Sequence, residues 1–153
     1  MSEAVAKASE VATTAFRKGF NCAESVLMGL TEAFGLPAVP TVATGFGGGI
    51  GRYGDACGAV TGGVMAIGLK ANRTSPDQKD LYDAVHAAVR RFMDEFIRAE
   101  GGIYCRDLTG YDLRIPEQYA KFHSDKQRRE KCLKLVDTAA RLAAEVIESA
   151  CLP

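Results

Sequence analysis

Apolar residues recur every three or four positions along most of this chain, which is the spacing of amphipathic helices. The first such segment ends at Gly19 and carries one apolar face, made of Val5, Ala8, Ala12, Ala15 and Phe16. The same spacing predicts helices over about 21–35, 55–71, 77–99 and 125–150. Shorter helices are expected after Pro40 and after Pro116.

The second predicted helix has clear boundary signals. Asn21 can cap its start, Glu24 completes a capping-box-like pair three residues later, and Gly35 ends it. No strand pattern persists, apart from a weak alternation in PTVATGF at 40–46. The chain is therefore predicted to be all-α. We expect one domain over residues 1–153, a compact bundle of about five main helices with a long glycine-rich loop at 35–55 before the third.

Charge and composition argue against several classes of protein. The 153 residues carry 19 Lys and Arg against 19 Asp and Glu, so there is no electrostatic case for binding nucleic acid or an anionic membrane. The longest nearly apolar run, ACGAVTGGVMAIGL, has 14 residues, whereas a bilayer crossing takes about 20. Because the N-terminus also lacks a signal-peptide pattern, we expect a soluble, cytoplasmic protein.

Five cysteines supply the candidate chemistry. In a reducing compartment they indicate buried thiols, a metal site or redox chemistry, and the lack of a CxxC pair removes the thioredoxin and zinc-ribbon signatures. Cys22 follows the Asn21 cap, and Cys57 lies two residues after Asp55, the expected cap of its own helix. Because helix N-termini favour a thiolate, both cysteines are candidate nucleophiles or metal ligands with a lowered pKa.

The other three cysteines have different contexts. Cys105 lies in an irregular connection at 100–116, Cys132 faces the core side of the last helix, and Cys151 lies near the end of the chain. Since a buried cysteine is commonly inert, a helical interaction domain with structural cysteines stays open as an alternative.

Six glycines crowd residues 45–54, shortly before Cys57. The segment GIGRYG at 49–54 matches G-x-G-x-x-G, but that motif needs a strand before it and an acidic residue about 20 positions on, at the end of a second strand. No second strand is visible and there is no GKS or GKT, so we expect no nucleotide cofactor. The glycines instead let the backbone approach a metal or a sulfur, which makes Gly54 and Gly58 candidate cofactor-binding residues.

Small residues recur on one face of the helix that follows, at Gly58, Gly62 and Ala66. Each glycine inside a helix costs about 1 kcal/mol of helix propensity relative to alanine, so this face is expected to meet a packing or site requirement. It predicts the close approach of another helix and also favours a homodimer.

The hexamer CGAVTG at 57–62, with Cys22 before it and Cys105 and Cys132 after it, resembles the C_GCAxxG_C_C family of redox-active proteins. The family label spells Gly-Cys-Ala where this chain reads Cys-Gly-Ala. The similarity also takes in FNCAESVL (20–27), CRDLTGYD (105–112) and KCLKLV (131–136), and it covers about residues 15–150. It implies that Cys22, Cys57, Cys105 and Cys132 converge in a redox site, while Cys151 matches no position of the pattern.

The resemblance also implies a cofactor. Related domains in split-Soret-type cytochromes carry an iron centre at cysteines, so we expect the four cysteines to hold an iron–sulfur cluster, or another metal, for electron transfer with an unidentified redox partner protein. The chain has no CxxCH motif, so no haem is expected. Two alternatives stay open: a thiol/disulfide protein in which Cys57 or Cys22 attacks, and a structural four-cysteine zinc site in an interaction module.

Overall fold

The computed structural model describes residues 1–153. The chain folds into helices, with a single isolated antiparallel bridge between Ala56 and Tyr104. The elements are α1 (Glu3–Lys18), α2 (Cys22–Phe34), a 3₁₀-helix (Pro40–Phe46), α3 (Gly58–Ala71), α4 (Lys79–Glu100), α5 (Cys105–Thr109), α6 (Pro116–Ser124) and α7 (Lys126–Ser149). The predicted all-α class is confirmed. None of these helices combines the length and the apolar character that a membrane crossing requires.

Two details of the predicted architecture differ from the structure. The count of about five main helices is not matched, because α5, α6 and the 3₁₀-helix lie between the longer helices. The glycine-rich connection at 35–55 is not one open loop, since part of it forms the 3₁₀-helix and residues 47–54 follow as turns and bends. The weak strand-like alternation at 40–46 therefore belongs to a helix.

The third long helix begins later than expected. Its N-cap is Cys57 and not Asp55. The Asp55 carboxylate accepts the N–H of the adjacent Ala56 at 2.7 Å, and the Asp55 carbonyl accepts the N–H of Cys105 at 2.8 Å. Because this stretch pairs with the segment around Cys105, it cannot join the helix, and α3 starts only beyond it.

The predicted capping box of α2 is confirmed, and it also fastens the 3₁₀-helix. The Glu24 N–H donates to the Asn21 side chain, and the Asn21 N–H donates to the Glu24 carboxylate, both at 2.9 Å. The same two side chains hold Thr44: Asn21 Nδ2 donates to its carbonyl at 3.0 Å, and its hydroxyl donates to Glu24 at 2.9 Å. The cap therefore keeps the glycine-rich segment beside the first turn of α2.

The core lies around α2, which packs against α1, α3 and α7. Small side chains without exposed surface allow these helices to approach closely: Ala8, Ala12, Ala23, Ala139, Ala140, Ala143 and Ala144. Larger side chains without exposed surface fill the remaining space: Val26, Leu27, Leu30, Ile67, Phe92 and Phe96. The ring of Phe92 on α4 lies where a Cβ at Gly63 would have to go.

The glycine face of α3 packs against α2 of the same chain. A Cβ at Gly62 would lie 2.7 Å from the carbonyl oxygen of Ala23, and a Cβ at Gly58 would lie 2.9 Å from the Ala23 amide nitrogen. The backbones of α2 and α3 are therefore in direct contact, with no room for a methyl group at either position. This contact brings the starts of the two helices, and with them Cys22 and Cys57, side by side.

Gly62→Ala is expected to destabilise the protein although alanine is the better helix former. The added methyl group would meet the α2 backbone, so the free energy of unfolding should fall by about 1–3 kcal/mol. Gly68 is the matched control, because it lies in the same helix with open space at its Cβ position. Gly68→Ala should raise the free energy of unfolding by up to about 1 kcal/mol. Urea unfolding measures both effects, and equal effects would contradict the close packing.

Candidate functional site

Four of the five cysteines line one cavity of about 730 Å³. Cys57, Cys105 and Cys132 are buried, and Cys22 is partly exposed. Cys151 is exposed and lies outside the cavity. All five are free thiols. The fold thus brings together the four cysteines of the sequence motif, although they lie on four different elements.

Three of the four sulfurs lie at helix starts. Cys22 is the first residue of α2, Cys57 is the N-cap of α3, and Cys105 is the first residue of α5. Cys105 was expected in an irregular connection, so its short helix is a correction. The first N–H groups of a helix have no partner within it, and at Cys57 those of Ala59 and Val60 act on the sulfur.

A short antiparallel ladder connects the segments that carry Cys57 and Cys105. The Cys57 N–H donates to the carbonyl of Ile103 at 2.6 Å, and the Cys105 N–H donates to the carbonyl of Asp55 at 2.8 Å. These bonds hold the two cysteines close together even though α3 and α4 lie between them in the chain.

Glycines bring backbone close to the sulfurs. Gly49 has a left-handed conformation with a φ of 69°, and a Cβ there would lie 2.7 Å from the Cβ of Cys105. A Cβ at Gly58 would lie 3.2 Å from the Cβ of Cys22. Gly58 lines the cavity, whereas Gly54 packs against α5 and is not part of the lining. Of the two glycines singled out in the sequence, only Gly58 therefore faces the space that the sulfurs share.

Cys132 lies on α7 one turn after a buried arginine. Arg128 is only 8% exposed, and its Nε donates to the Phe122 carbonyl at 2.9 Å. Its guanidinium lies 3.6 Å from the centre of the Phe122 ring. Asp125, the N-cap of α7, accepts the Arg128 N–H at 3.1 Å. These contacts hold the guanidinium beside the Cys132 sulfur, which lies four residues further on the same helix face.

Cys132 is the acidic thiol of the set. A hydrogen bond from the Cys22 thiol, reinforced by the hydrogen bond and charge of Arg128 and by Lys131, lowers the pKa of Cys132 to about 6. The pKa of Cys22 is raised well above its ordinary value, because its proton bonds to Cys132 and burial disfavours its charge. At neutral pH the pair therefore carries one proton, on Cys22, and one negative charge, on Cys132. Arg128 and Lys131 lie beside Cys132, and their positive charges place the negative charge of the pair on Cys132.

Burial raises the pKa of the other two thiols, to about 12 for Cys57 and to about 11 for Cys105. At Cys57 the N–H groups of Ala59 and Val60 favour the thiolate, but the loss of solvent outweighs them. The expectation that a helix start lowers the pKa of Cys22 and Cys57 is therefore wrong for the free thiols. A helix terminus contributes about 0.3–2 kcal/mol, and burying a charge costs more than that.

The four sulfurs do not form a ready site for one metal ion. No group of three or more His, Cys, Asp or Glu side chains lies close enough together to hold such an ion. Sulfurs around a single zinc would lie about 4 Å apart, given a Zn–S distance of about 2.3 Å. The cysteines are instead distributed around the wall of a larger cavity.

Arg128 is the residue that sequence reasoning missed. Arg128 is buried against Cys132, although arginine side chains are mostly exposed in proteins. The available signal was the spacing of four residues, which places both side chains on one helix face. His86 and His123 are both exposed, and His123 contributes to the cavity lining.

The fold and the cavity define a class of protein: an all-helical domain with four cysteines around one cavity. The family described as "Putative redox-active protein (C_GCAxxG_C_C)" matches residues 20–146, and the chain belongs to this family. The match spans all four cavity cysteines and ends before Cys151. An uncharacterized protein from Archaeoglobus fulgidus is 29% identical over 132 residues, which cover 80% of this chain and 81% of that protein. No solved structure matches the chain.

Cys132 in the reduced, metal-free protein should ionise far below the ordinary range of a cysteine thiol. We expect one thiolate per chain to appear with a midpoint near pH 6, measured by the ultraviolet absorbance of thiolates. Arg128→Met should raise this midpoint, because it removes a hydrogen bond and a positive charge from the thiolate. Arg128→Lys should raise it less, since the charge is kept.

Two cysteine variants control this titration. Cys132→Ser should abolish the transition near pH 6, and Cys151→Ser should leave it in place. A transition that persists in Cys132→Ser would assign the acidic thiol to another cysteine.

Proposed function

We propose that Cys22, Cys57, Cys105 and Cys132 form a redox centre that holds an iron–sulfur cluster for electron transfer. The observation that carries this proposal is the convergence of four thiols from distant parts of the chain on one cavity. A cavity of about 730 Å³ lies beside these sulfurs. It has the size of a ligand pocket and leaves room for an occupant.

The donor set fits a cluster better than a single ion. Cysteine thiolates are the usual ligands of iron–sulfur clusters, and four of them are the usual number. Burial and the neighbouring sulfurs raise the pKa of Cys22, Cys57 and Cys105, because unpaired negative charges would crowd one another there. Iron cations in place of the thiol protons would relieve this crowding.

Groups of this chain would tune the centre at two of the sulfurs. Backbone N–H groups act on Cys57 and Arg128 acts on Cys132, while the Thr109 hydroxyl donates to the Cys105 carbonyl at 2.7 Å. Hydrogen bonds and positive charge stabilise the more negative state of such a site and so raise its reduction potential. When bound, a cluster takes up and releases single electrons. A redox partner protein would approach from the start of α2, where the one partly exposed cysteine of the four lies.

Protein purified without air, or reconstituted with iron and sulfide, is expected to be brown. Serine in place of Cys22, Cys57, Cys105 or Cys132 should lower the affinity for iron by at least about tenfold, since each removes a ligand. Cys151→Ser is the matched control and should bind as much iron as the unchanged protein, because Cys151 is outside the cavity. Iron and sulfide analysis with the visible spectrum measures this. Colourless, iron-free protein after anaerobic reconstitution would contradict the proposal.

The pairing of Cys22 with Cys132 favours a second candidate, a metal-free thiol/disulfide centre. The Cys132 thiolate would attack an external disulfide, and Cys22 would then lose its proton and displace the second external thiolate. The Cys22–Cys132 bond forms, two electrons pass to the external disulfide, and one proton is released. In this second candidate the attacking sulfur would be Cys132, whereas the helix starts had indicated Cys57 or Cys22. A structural zinc site has less support, because the sulfurs form no single-ion group.

Mild oxidation of the metal-free protein tests this second candidate. It should remove two titratable thiols per chain and produce a Cys22–Cys132 linkage in peptide mass mapping. Cys57→Ser should still form the linkage, and Cys132→Ser should not. If oxidation leaves all thiols intact, or links Cys57 in preference, the assignment is wrong.

A further inference from the structure

The cavity beside the four sulfurs has room for more than a cysteine site. Its volume of about 730 Å³ lies within the range of roughly 300–1,000 Å³ that small-molecule pockets occupy. Four arginines contribute to its lining, Arg17, Arg52, Arg128 and Arg129, against one acidic residue, Glu130. This is a local excess of positive charge in a chain whose total charge is balanced.

These arginines have no carboxylate partner in the chain. Ion pairs elsewhere hold Arg91, Arg114 and Arg141, each at 2.8 to 2.9 Å from a carboxylate oxygen, but none involves an arginine of the cavity. Arg128 is buried, and its side chain bonds the Phe122 carbonyl and the Cys132 sulfur but no carboxylate. The guanidinium groups of Arg52 and Arg129, which bond to no carboxylate, keep donors free for an acid group from outside.

Three of the arginines act on the same part of the cavity. The partial loss of solvent at the cavity wall lowers the pKa of His123, and the charges of Arg128, Arg52 and Arg129 lower it further. The positive charges of these three arginines therefore all act on His123, one side chain of the cavity lining. Arg128 lies inside, whereas Arg52 and Arg129 are exposed and stand at the mouth.

Arg52 has an unfavourable backbone conformation. Its φ of 67° lies in the left-handed region, which non-glycine residues seldom adopt. Its guanidinium lies 4.5 Å from the centre of the Tyr119 ring. Strained residues of this kind cluster at ligand sites, where a fixed side chain position is needed.

The remaining wall of the cavity is rich in aromatic rings. Phe16, Phe20, Tyr119 and Phe122 contribute to it. Phe20 is 41% exposed, so part of this apolar wall is accessible from outside. The cavity therefore combines cationic groups with apolar surface, which is the combination that an organic anion requires.

We propose that this cavity binds a small organic anion, with its acid group against Arg52, Arg128 and Arg129 and its apolar or aromatic body against the phenylalanines. The inference rests on the proposed function in one respect: a ligand there lies beside the four sulfurs and would be the substrate of that redox centre. Binding itself does not depend on which redox chemistry the sulfurs perform.

A pair of dyes that share an aromatic body tests the proposal. Anilinonaphthalene sulfonate is anionic, and phenylnaphthylamine is its uncharged counterpart. Calorimetric titration of the full-length protein as purified should show at least about tenfold tighter binding of the anionic dye, as expected for a charge-assisted hydrogen bond to arginine. The double variant Arg52→Met, Arg129→Met should lose this preference.

The control is Arg98→Met, which removes a positive charge from the surface of α4, away from the cavity. It should keep the preference for the anionic dye. Equal binding of both dyes by the unchanged protein would overturn the proposal. A preference that survives the double variant would show that Arg52 and Arg129 do not bind the acid group, and would overturn it too.

Iron content measured on the same preparations separates this site from the cluster. Charge-selective dye binding by a protein that takes up no iron would support the anion site and refute the cluster. Normal iron uptake without charge-selective dye binding would support the cluster and refute the anion site.

Discussion

The contact between the backbones of α2 and α3 is the constraint on which the candidate site depends. Gly58 and Gly62 lie directly against the backbone of Ala23, with no space for a side chain at either position. The starts of the two helices therefore lie against each other. Cys22 and Cys57 are neighbours for this reason alone, since nothing in the spacing of the chain requires it. The ladder that places Cys105 beside Cys57 then adds the third sulfur, and the packing of α7 on α2 and α3 adds the fourth.

The electrostatics of the cavity follow from this crowding. Four sulfurs in a largely buried space share one nearby buried cation, Arg128, so only Cys132 ionises easily and the other three hold their protons. Cys57, at a helix start, has the N–H groups of Ala59 and Val60, whereas Cys132, in a helix interior where N–H groups are already used, has a guanidinium instead. The source of stabilisation at these two sulfurs thus follows from the place of each in its helix.

Much of this arrangement could be predicted from the sequence, because it depends on local rules. Helical periodicity gave the long helices, and the Asn21–Glu24 capping box fixed the start of α2. The start of α3 and the short helix at Cys105 could not be predicted in the same way. Both depend on the ladder between two segments far apart in the chain, and no local pattern marks that pairing. The predicted lowering of the pKa of Cys22 and Cys57 was wrong for a related reason, since the burial that raises both values is a property of the assembled fold.

The glycine-rich segment illustrates how one sequence feature can serve several distant contacts. A phosphate loop would present its glycine N–H groups to a ligand in front of a helix. Here Gly49 lies against Cys105, Gly54 lies against α5, and Gly58 lies against the first turn of α2. At each of these positions a side chain would push a cysteine-bearing element away. The glycines are therefore best understood as the condition for bringing four sulfurs to one cavity, and whatever the cavity holds depends on their having no side chain.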